Sequence, residues 1–234
     1  MSLDTNIINV PALFDTVVDG LRATGTITSV APSGSNTICQ SVNTLSEYEV
    51  IVISDTDYVV KSVSGIAFTV SGTVIATTWK SRSPYYDYGH PIEMVNKLLH
   101  KDSLKAPYSF KKYPLIYLVL DLDEDMANDG YYCTLDPFKI VLLAFTKMDY
   151  TSEERMDNVV EPILYPIFKN LRFALENSNS FGTDILSMKK SDRLFWGTKQ
   201  AMGNEKNILN DPIDAVELLV RNLVVLDVKE NKHC

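Results

Sequence analysis

Residues 112–177 constrain the fold more than any other part of the chain. They read KYPLIYLVLDLDEDMANDGYYCTLDPFKIVLLAFTKMDYTSEERMDNVVEPILYPIFKNLRFALEN: two apolar runs around an acidic excursion, then a long amphipathic segment. Leu115–Leu120 and Phe138–Phe145 are strand-length and rich in β-branched and aromatic residues. Asn128, Asp129 and Gly130 supply turn chemistry between them, because Gly and Asn tolerate the positive φ that a reversal needs. The pattern predicts a long antiparallel hairpin feeding a helix.

The helix start is marked by Thr151-Ser152-Glu153-Glu154, a capping box with Thr151 at the N-cap and Glu154 three residues on. Both glutamates also sit where the helix dipole is positive. Val160, Ile163, Leu164, Ile167, Phe168, Leu171 and Leu175 follow at helical spacing and make one apolar face. Pro162 and Pro166 interrupt the backbone donors, at about 3 kcal/mol each in a regular helix. The expectation is a kink, or two helices meeting, near Glu161–Tyr165.

The flanking segments complete an α+β chain. Asn9–Arg22 is expected to form a short helix with a stripe of Leu13, Phe14, Val17, Val18 and Leu21. Thr24–Lys80 is poor in Leu and rich in Ser, Thr, Val, Ile and Gly, in short alternating runs; it predicts a small antiparallel unit of about five strands. Lys80–Gly89 (KSRSPYYDYG) is the natural boundary, dividing the chain into a helix and β-rich module over 1–83 and an α+β domain over 84–234. A helix begins at His90-Pro91 with Ile92, Val95, Leu98 and Leu99 on one face, and a loop runs from Leu104 to Lys111. Ser178–Arg193 is expected to lack regular structure, Phe195-Trp196-Gly197 to be a local anchor, and Thr198–Asn207 to be mobile. Val216–Val228 predicts one closing strand before a polar tail.

Composition bounds the function. The chain has 234 residues, 30 acidic and 22 basic side chains, and a formal charge of −8, which argues against gripping a phosphate backbone. At 45% hydrophobic it can bury a sizeable core. Cys39, Cys133 and Cys234 are odd in number and far apart, with no CxxC, and are expected to be reduced thiols. The first residues carry no basic and then apolar leader, and no run approaches the roughly 20 residues that span a bilayer. A protein made and kept in a cytosol is expected.

No segment carries a full catalytic constellation. Thr146-Lys147-Met148-Asp149 has the form of the guanine-reading motif of GTPases, but no Gly-rich phosphate cradle accompanies it; a polar strand end leading into the Thr151 cap is the simpler reading. Asp121, Asp123, Asp125 and Asp129 invite a calcium reading, yet an EF-hand counted from Asp121 puts Met126 and Tyr132 where Gly and Glu belong. A looser cation site remains, against a solvated acidic loop that could line a channel. His90, His100 and His233 imply no shared ligand set, and no Gly-x-Ser-x-Gly or paired-His pattern supports a nucleophile. Tyr85, Tyr86 and Tyr88 could stack on bases; with this charge they read better as packing or interface aromatics.

The order of pieces in YYDYGHPIEMVNKLL, KYPLIYLVLDL, FKIVLLAFTK, TSEERMDNVVEPILYPIFKNL and DPIDAVELLVRNLVVLDV resembles the tail-terminator and tail-completion proteins of tailed bacteriophages. It is most similar to those of phages infecting Bacteroidetes, including the neck and tail ring proteins of crAss-like phages. The resemblance covers Tyr85 to Val228, with the β-rich segment as an addition. It implies an α+β antiparallel sheet with a long hairpin packed on helices. The function it implies is a non-enzymatic virion protein without cofactor, made in the bacterial host cytoplasm and located at the head–tail junction or upper tail. Its implied partners are further copies in a ring and neighbouring ring or portal-proximal proteins, with no membrane. Genomic DNA would pass through the lumen without sequence-specific contact. Asp121, Asp123, Glu124, Asp125 and Asp129 would then face the lumen or an adjacent ring, since like charge repels phosphate. The competing expectation is a bacterial α+β module that binds a small ligand or peptide in a concave pocket.

Overall fold

Five strands form the central sheet: β8 (Tyr85–Gly89), β9 (Leu115–Val119), β12 (Phe138–Phe145), β14 (Ser187–Trp196) and β17 (Ile213–Arg221), in the order β14-β17-β12-β9-β8. The computed structural model describes residues 9–42, 45–75, 77–105, 108–121, 124–126, 132–182, 187–196, 198–201, 204–207 and 209–226. The chain is α+β with a large curled antiparallel sheet, as its sequence predicts. The expected hairpin pairs β9 with β12 antiparallel, Val119 opposite Lys139 and Leu115 opposite Leu143.

The registers line side chains up in rows across the strands. On one face, Tyr86, Ile116, Leu142, Val216 and Asp192 form one row, and Tyr88, Leu118, Ile140, Leu218 and Lys190 the next. The middle members are buried in the main core. On the other face the rows are Tyr85-Leu115-Leu143-Ala215-Arg193, Asp87-Tyr117-Val141-Glu217-Ser191 and Gly89-Val119-Lys139-Leu219-Lys189. Their β8, β9 and β12 ends are largely apolar and their β14 ends polar.

The first face is covered by helices. α1 (Val10–Asp19) is capped by Asn9, whose side chain accepts from the Ala12 amide at 3.1 Å. It buries Val10, Phe14, Val17 and Val18, and the Phe14 ring meets Phe138 edge-on at 5.5 Å. The long helix starts at the expected capping box: Thr151 Oγ1 accepts from the Glu154 amide, and Glu154 accepts from the Thr151 amide at 2.8 Å. Its course is α3 (Ser152–Arg155), a π-helical segment (Met156–Leu164) and α4 (Tyr165–Glu176). Two helical segments meet where expected, the π segment giving way to α4 between Leu164 and Tyr165. Pro162 lies inside the π segment, and the Tyr165 amide donates five residues back to Val160. The π segment absorbs Pro162, which four-residue bonding would penalise, and Pro166 falls in the first turn of α4, where a missing donor costs little. Val160, Leu164, Leu171 and Leu175 face the core as the spacing predicts.

The second face carries a smaller core. α2 (Pro91–Asp102) begins at a His90 cap reciprocated by Glu93 and connects β8 to β9, which makes that pair parallel rather than antiparallel. Its inward residues are Met94 and Leu98, with Val95 and Leu99 partly covered; Ile92, expected on that face, is exposed. KSRSPYYDYG is therefore not a free linker, because Tyr85–Gly89 is the edge strand β8.

The ribbon of strands that joins the cores bends once. β11 (Tyr132–Leu135) leads into β12, and β17 leads into β18 (Leu223–Leu226). Leu135 lies opposite Leu223 and Phe138 opposite Val220, so Asp136-Pro137 and Arg221-Asn222 break the two strands at one level. Pro137 lacks a ladder donor and Asn222 has φ 52°, so both strands leave the central sheet together. The single closing strand expected over Val216–Val228 is thus two strands in two sheets. With β10 (Glu124–Met126) and β13 (Phe181–Gly182), β11 and β18 form a four-stranded sheet, ordered β10-β11-β18-β13, that closes the end of the main core.

Two further segments expected to be irregular are strands. Ser178–Arg193 contains β13 and most of β14, and Thr198–Asn207 folds as a hairpin of β15 (Thr198–Ala201) and β16 (Asn204–Asn207). β14 pairs along β17, with a bulge between Arg193 and Trp196.

The β-rich segment has seven strands rather than about five: β1 (Thr24–Thr26), β2 (Ser29–Ser33), β3 (Asn36–Gln40), β4 (Val50–Ile53), β5 (Thr56–Ser64), β6 (Ala67–Ser71) and β7 (Thr78–Ser81). The order β1-β7-β4-β5-β6-β3-β2 puts β1 and β2 at opposite edges, although only Ile27 and Thr28 separate them. The Ile27 amide bonds to Thr77 and the Thr28 amide to Gln40, so the sheet curls until its edges are two halves of one bent strand. Curling removes the open edges that a flat sheet presents. Cys39, Ile51, Ile53, Val60, Phe68, Val70 and Trp79 fill the interior.

The division expected at residue 83 assigns α1 to this module. The helix instead packs in the main core, so the curled sheet is inserted between α1 and β8. Entry and exit lie side by side: Thr24 pairs with Lys80, and the Ser81 amide donates to the Ala23 carbonyl.

Candidate functional site

The acidic excursion is the first place to look. Asp121 is exposed just past β9. Glu124 and Asp125 lie on the edge strand β10, opposite Leu135 and Thr134 of β11. Asp123 and Asp129 lie outside the described residues. The excursion is thus partly a strand pair rather than a simple loop. Among the described residues no group of three or more His, Cys, Asp or Glu side chains is placed to hold a metal ion.

The three tyrosines are split by strand alternation. Tyr85 faces the second core and is buried; Tyr86 packs against Phe14 at 5.5 Å and donates to the Pro11 carbonyl at 3.0 Å. Burial raises both phenols above their ordinary range, with Glu49 adding to the effect on Tyr85 and Asp15 to that on Tyr86. Both serve packing. Tyr88 alone presents an exposed ring, with Lys97 Nζ 5.7 Å from its centroid.

The Thr146–Asp149 loop has a structural role in the described fold. Arg155, 1% exposed, donates to the carbonyls of Lys147 at 2.8 Å and Tyr150 at 3.1 Å, and to Asp214 Oδ1 at 3.0 Å. Asp214 is fully buried and also accepts from the Phe195 amide at 2.9 Å; Phe195 has φ 55°, and its ring lies 3.7 Å from the guanidinium. One cation therefore gathers the end of β12, the helix start, β17 and the β14 bulge. Sequence reasoning missed this knot, because Arg155 and Asp214 are brought together only by the fold.

A second cluster ties the inserted sheet to the body. Asp57 on β5 accepts from Arg82 at 2.9 Å and from Lys111. Burial acts to raise its carboxyl, but those two bonds outweigh it and hold the group below the ordinary carboxylate range. Asp19 is likewise lowered, chiefly by Lys80 at 2.5 Å and also by Arg22. Val50 is buried in the body's second core, and the Tyr48 and Phe110 rings stack at 5.7 Å.

Between these ties lies a groove of about 740 Å³ lined by Asp19, Gly25, Ser54, Trp79, Lys80 and Arg82, among others. Behind the groove, in the interior of the inserted sheet, the Trp79 indole folds over Gly25, where a Cβ would come within 2.5 Å of Nε1. The indole nitrogen donates to Ser41 at 2.8 Å. Histidines do not converge on the groove: His90 caps α2, His100 lies in its last turn, and His233 is outside the described residues. Cys39 and Cys133 are buried in different cores. No described helix is long and apolar enough to cross a membrane. Compared with protein-family models, with curated proteins and with solved structures, the chain matches none.

Proposed function

We propose that the chain is a structural subunit of a tailed-phage virion. It forms a ring with further copies at the head–tail junction or upper tail and joins neighbouring rings around the DNA channel. The observation that carries this reading is the spread of large apolar side chains left in solvent on separate surfaces. Ile75 is 90% and Val42 85% exposed on the inserted sheet, while Phe173 is 68% exposed on α4 and Met148 65% beside the end of β12. Apolar surface exposed in several directions suits a subunit with several neighbours. A charge of −8 suits a lumen that lets DNA slide.

Electron microscopy of the purified protein, and of particles from its source, tests the reading. Closed rings, or a ring density in neck or tail that this fold fits, would support it. Particles lacking the protein would overturn it. The groove over Trp79 favours a second reading, a binding module, since its volume falls within the range of ligand pockets. A ligand-dependent rise in melting temperature, abolished by Thr26→Trp at the exposed groove wall, would support that one.

A further inference from the structure

The second face of the central sheet is half bare. α2 and the inserted sheet cover β8, β9 and part of β12 with Met94, Leu98 and Val50. The lower ends of β12, β17 and β14 lie beyond them. There Lys139, Leu219 and Lys189 form one row, Glu217 and Ser191 the next, and Arg221 extends the column of β17. Lys189, Arg193 and Arg221 are exposed, while Lys139, Glu217 and Leu219 are half-buried. Arg193 neutralises Glu217 at 3.1 Å. Lys139, Lys189 and Arg221 have no ion-pair partner among the described residues. An acidic chain thus carries, on one sheet face, three cations around a leucine that have no ion-pair partner among the described residues.

The opposite side of the molecule carries the complement. Glu153, Asp157 and Glu161 recur every four residues along α3 and the π segment, all exposed and without an ion-pair partner among the described residues. Their Cα atoms span at most about 12 Å, the α-helical rise over eight residues, and less through the wider π turn. Lys139 and Lys189, two strands apart, are separated by about 10 Å. The two patches match in number and reach, and they differ in sign.

We propose that the basic sheet face docks the acidic helix stripe of a second copy of this chain. The proposal rests on the ring reading and supplies its subunit contact. The patches lie on opposite faces of one sheet, so docking is head-to-tail. Each copy leaves one patch unused, and subunits add until rotation closes the set. A second copy fits better than nucleic acid, because Leu219 and the Arg193–Glu217 pair suit a protein surface and the net charge repels phosphate.

Sedimentation velocity across ionic strength tests the contact. The native chain should self-associate at low salt and dissociate as salt is raised. Lys189→Glu/Arg221→Glu and, separately, Asp157→Lys/Glu161→Lys should each weaken association by about tenfold or more, with unchanged circular dichroism and melting. Mixing the two variants should restore association, since each then offers what the other lost. A native chain that stays monomeric at low salt would overturn the contact, as would association unchanged by the reversals. Reversals that abolish binding to duplex DNA but spare self-association would assign the face to phosphate and also overturn it. Ring density in particles is judged independently: if it is present while the reversals do nothing, the ring reading stands and this contact falls.

Discussion

The two faces of the central sheet are made by the same strands and finished differently. The face under α1 and the long helix is apolar from Ile116 through Leu142 to Val216, and the helices, with the small sheet at one end, seal it. The other face is shared between one helix, an inserted sheet and solvent. The difference shows within single strands: Leu218 is 1% exposed, and its neighbour Leu219 is half-buried. One face holds the molecule together and the other leaves surface for something else.

The sharpest way to break this comparison is at Arg155, which locks the sealed side. Arg155→Met leaves Asp214 buried without its counter-charge and should cost about 3–5 kcal/mol in urea unfolding. A loss below about 1 kcal/mol would show that the knot is incidental. Next come the adjacent leucines. Leu218→Ala should cost about 2–5 kcal/mol, and Leu219→Ala less than about 1 kcal/mol; equal costs would erase the distinction between the faces.

Asp57→Asn probes the joint on the second face and should cost about 1 kcal/mol at neutral pH. The sign of its pH dependence follows from the lowered carboxyl. The stabilisation is complete above the ordinary carboxylate value of about 4 and is lost as pH falls through the lowered one. The gap between native chain and variant should therefore close in acid, and a constant gap would remove the ion pairs from the account. Last, Lys189→Glu should leave folding within about 0.5 kcal/mol, because it lies on the open half.

The sealed face was largely legible in the sequence. Its hairpin, capping box and helical stripe are local patterns, and Pro162 and Pro166 flagged the π segment without naming it. The open half was not. SMKKSDRLFW offers Met188 and Leu194 to the main core and Trp196, past the bulge, to the second, so charge and the bulge hide its strand period. The break after β17 sits in a run of Leu and Val, and Arg221-Asn222 was the only mark of it. The basic patch needs three strands in register, which no local pattern encodes. The acidic excursion was legible as composition, but its pairing with β18 depends on residues roughly 90 positions away.

The neighbouring entry and exit of the inserted sheet bear on how the chain finds its fold. α1 must meet Tyr86 and Phe138 across a loop of about 60 residues (Thr24–Ser81). If those residues first fold by themselves, Thr24 and Lys80 already lie side by side, and the loop shrinks to a few residues. The entropy of closure then falls by roughly 2–3 kcal/mol, at about 0.6 kcal/mol per halving. An early-folding insert would act as a clasp that delivers α1 to a sheet whose strands are translated later. The same geometry means that a short turn from Arg22 to Ser83 could replace the insert without stretching the body.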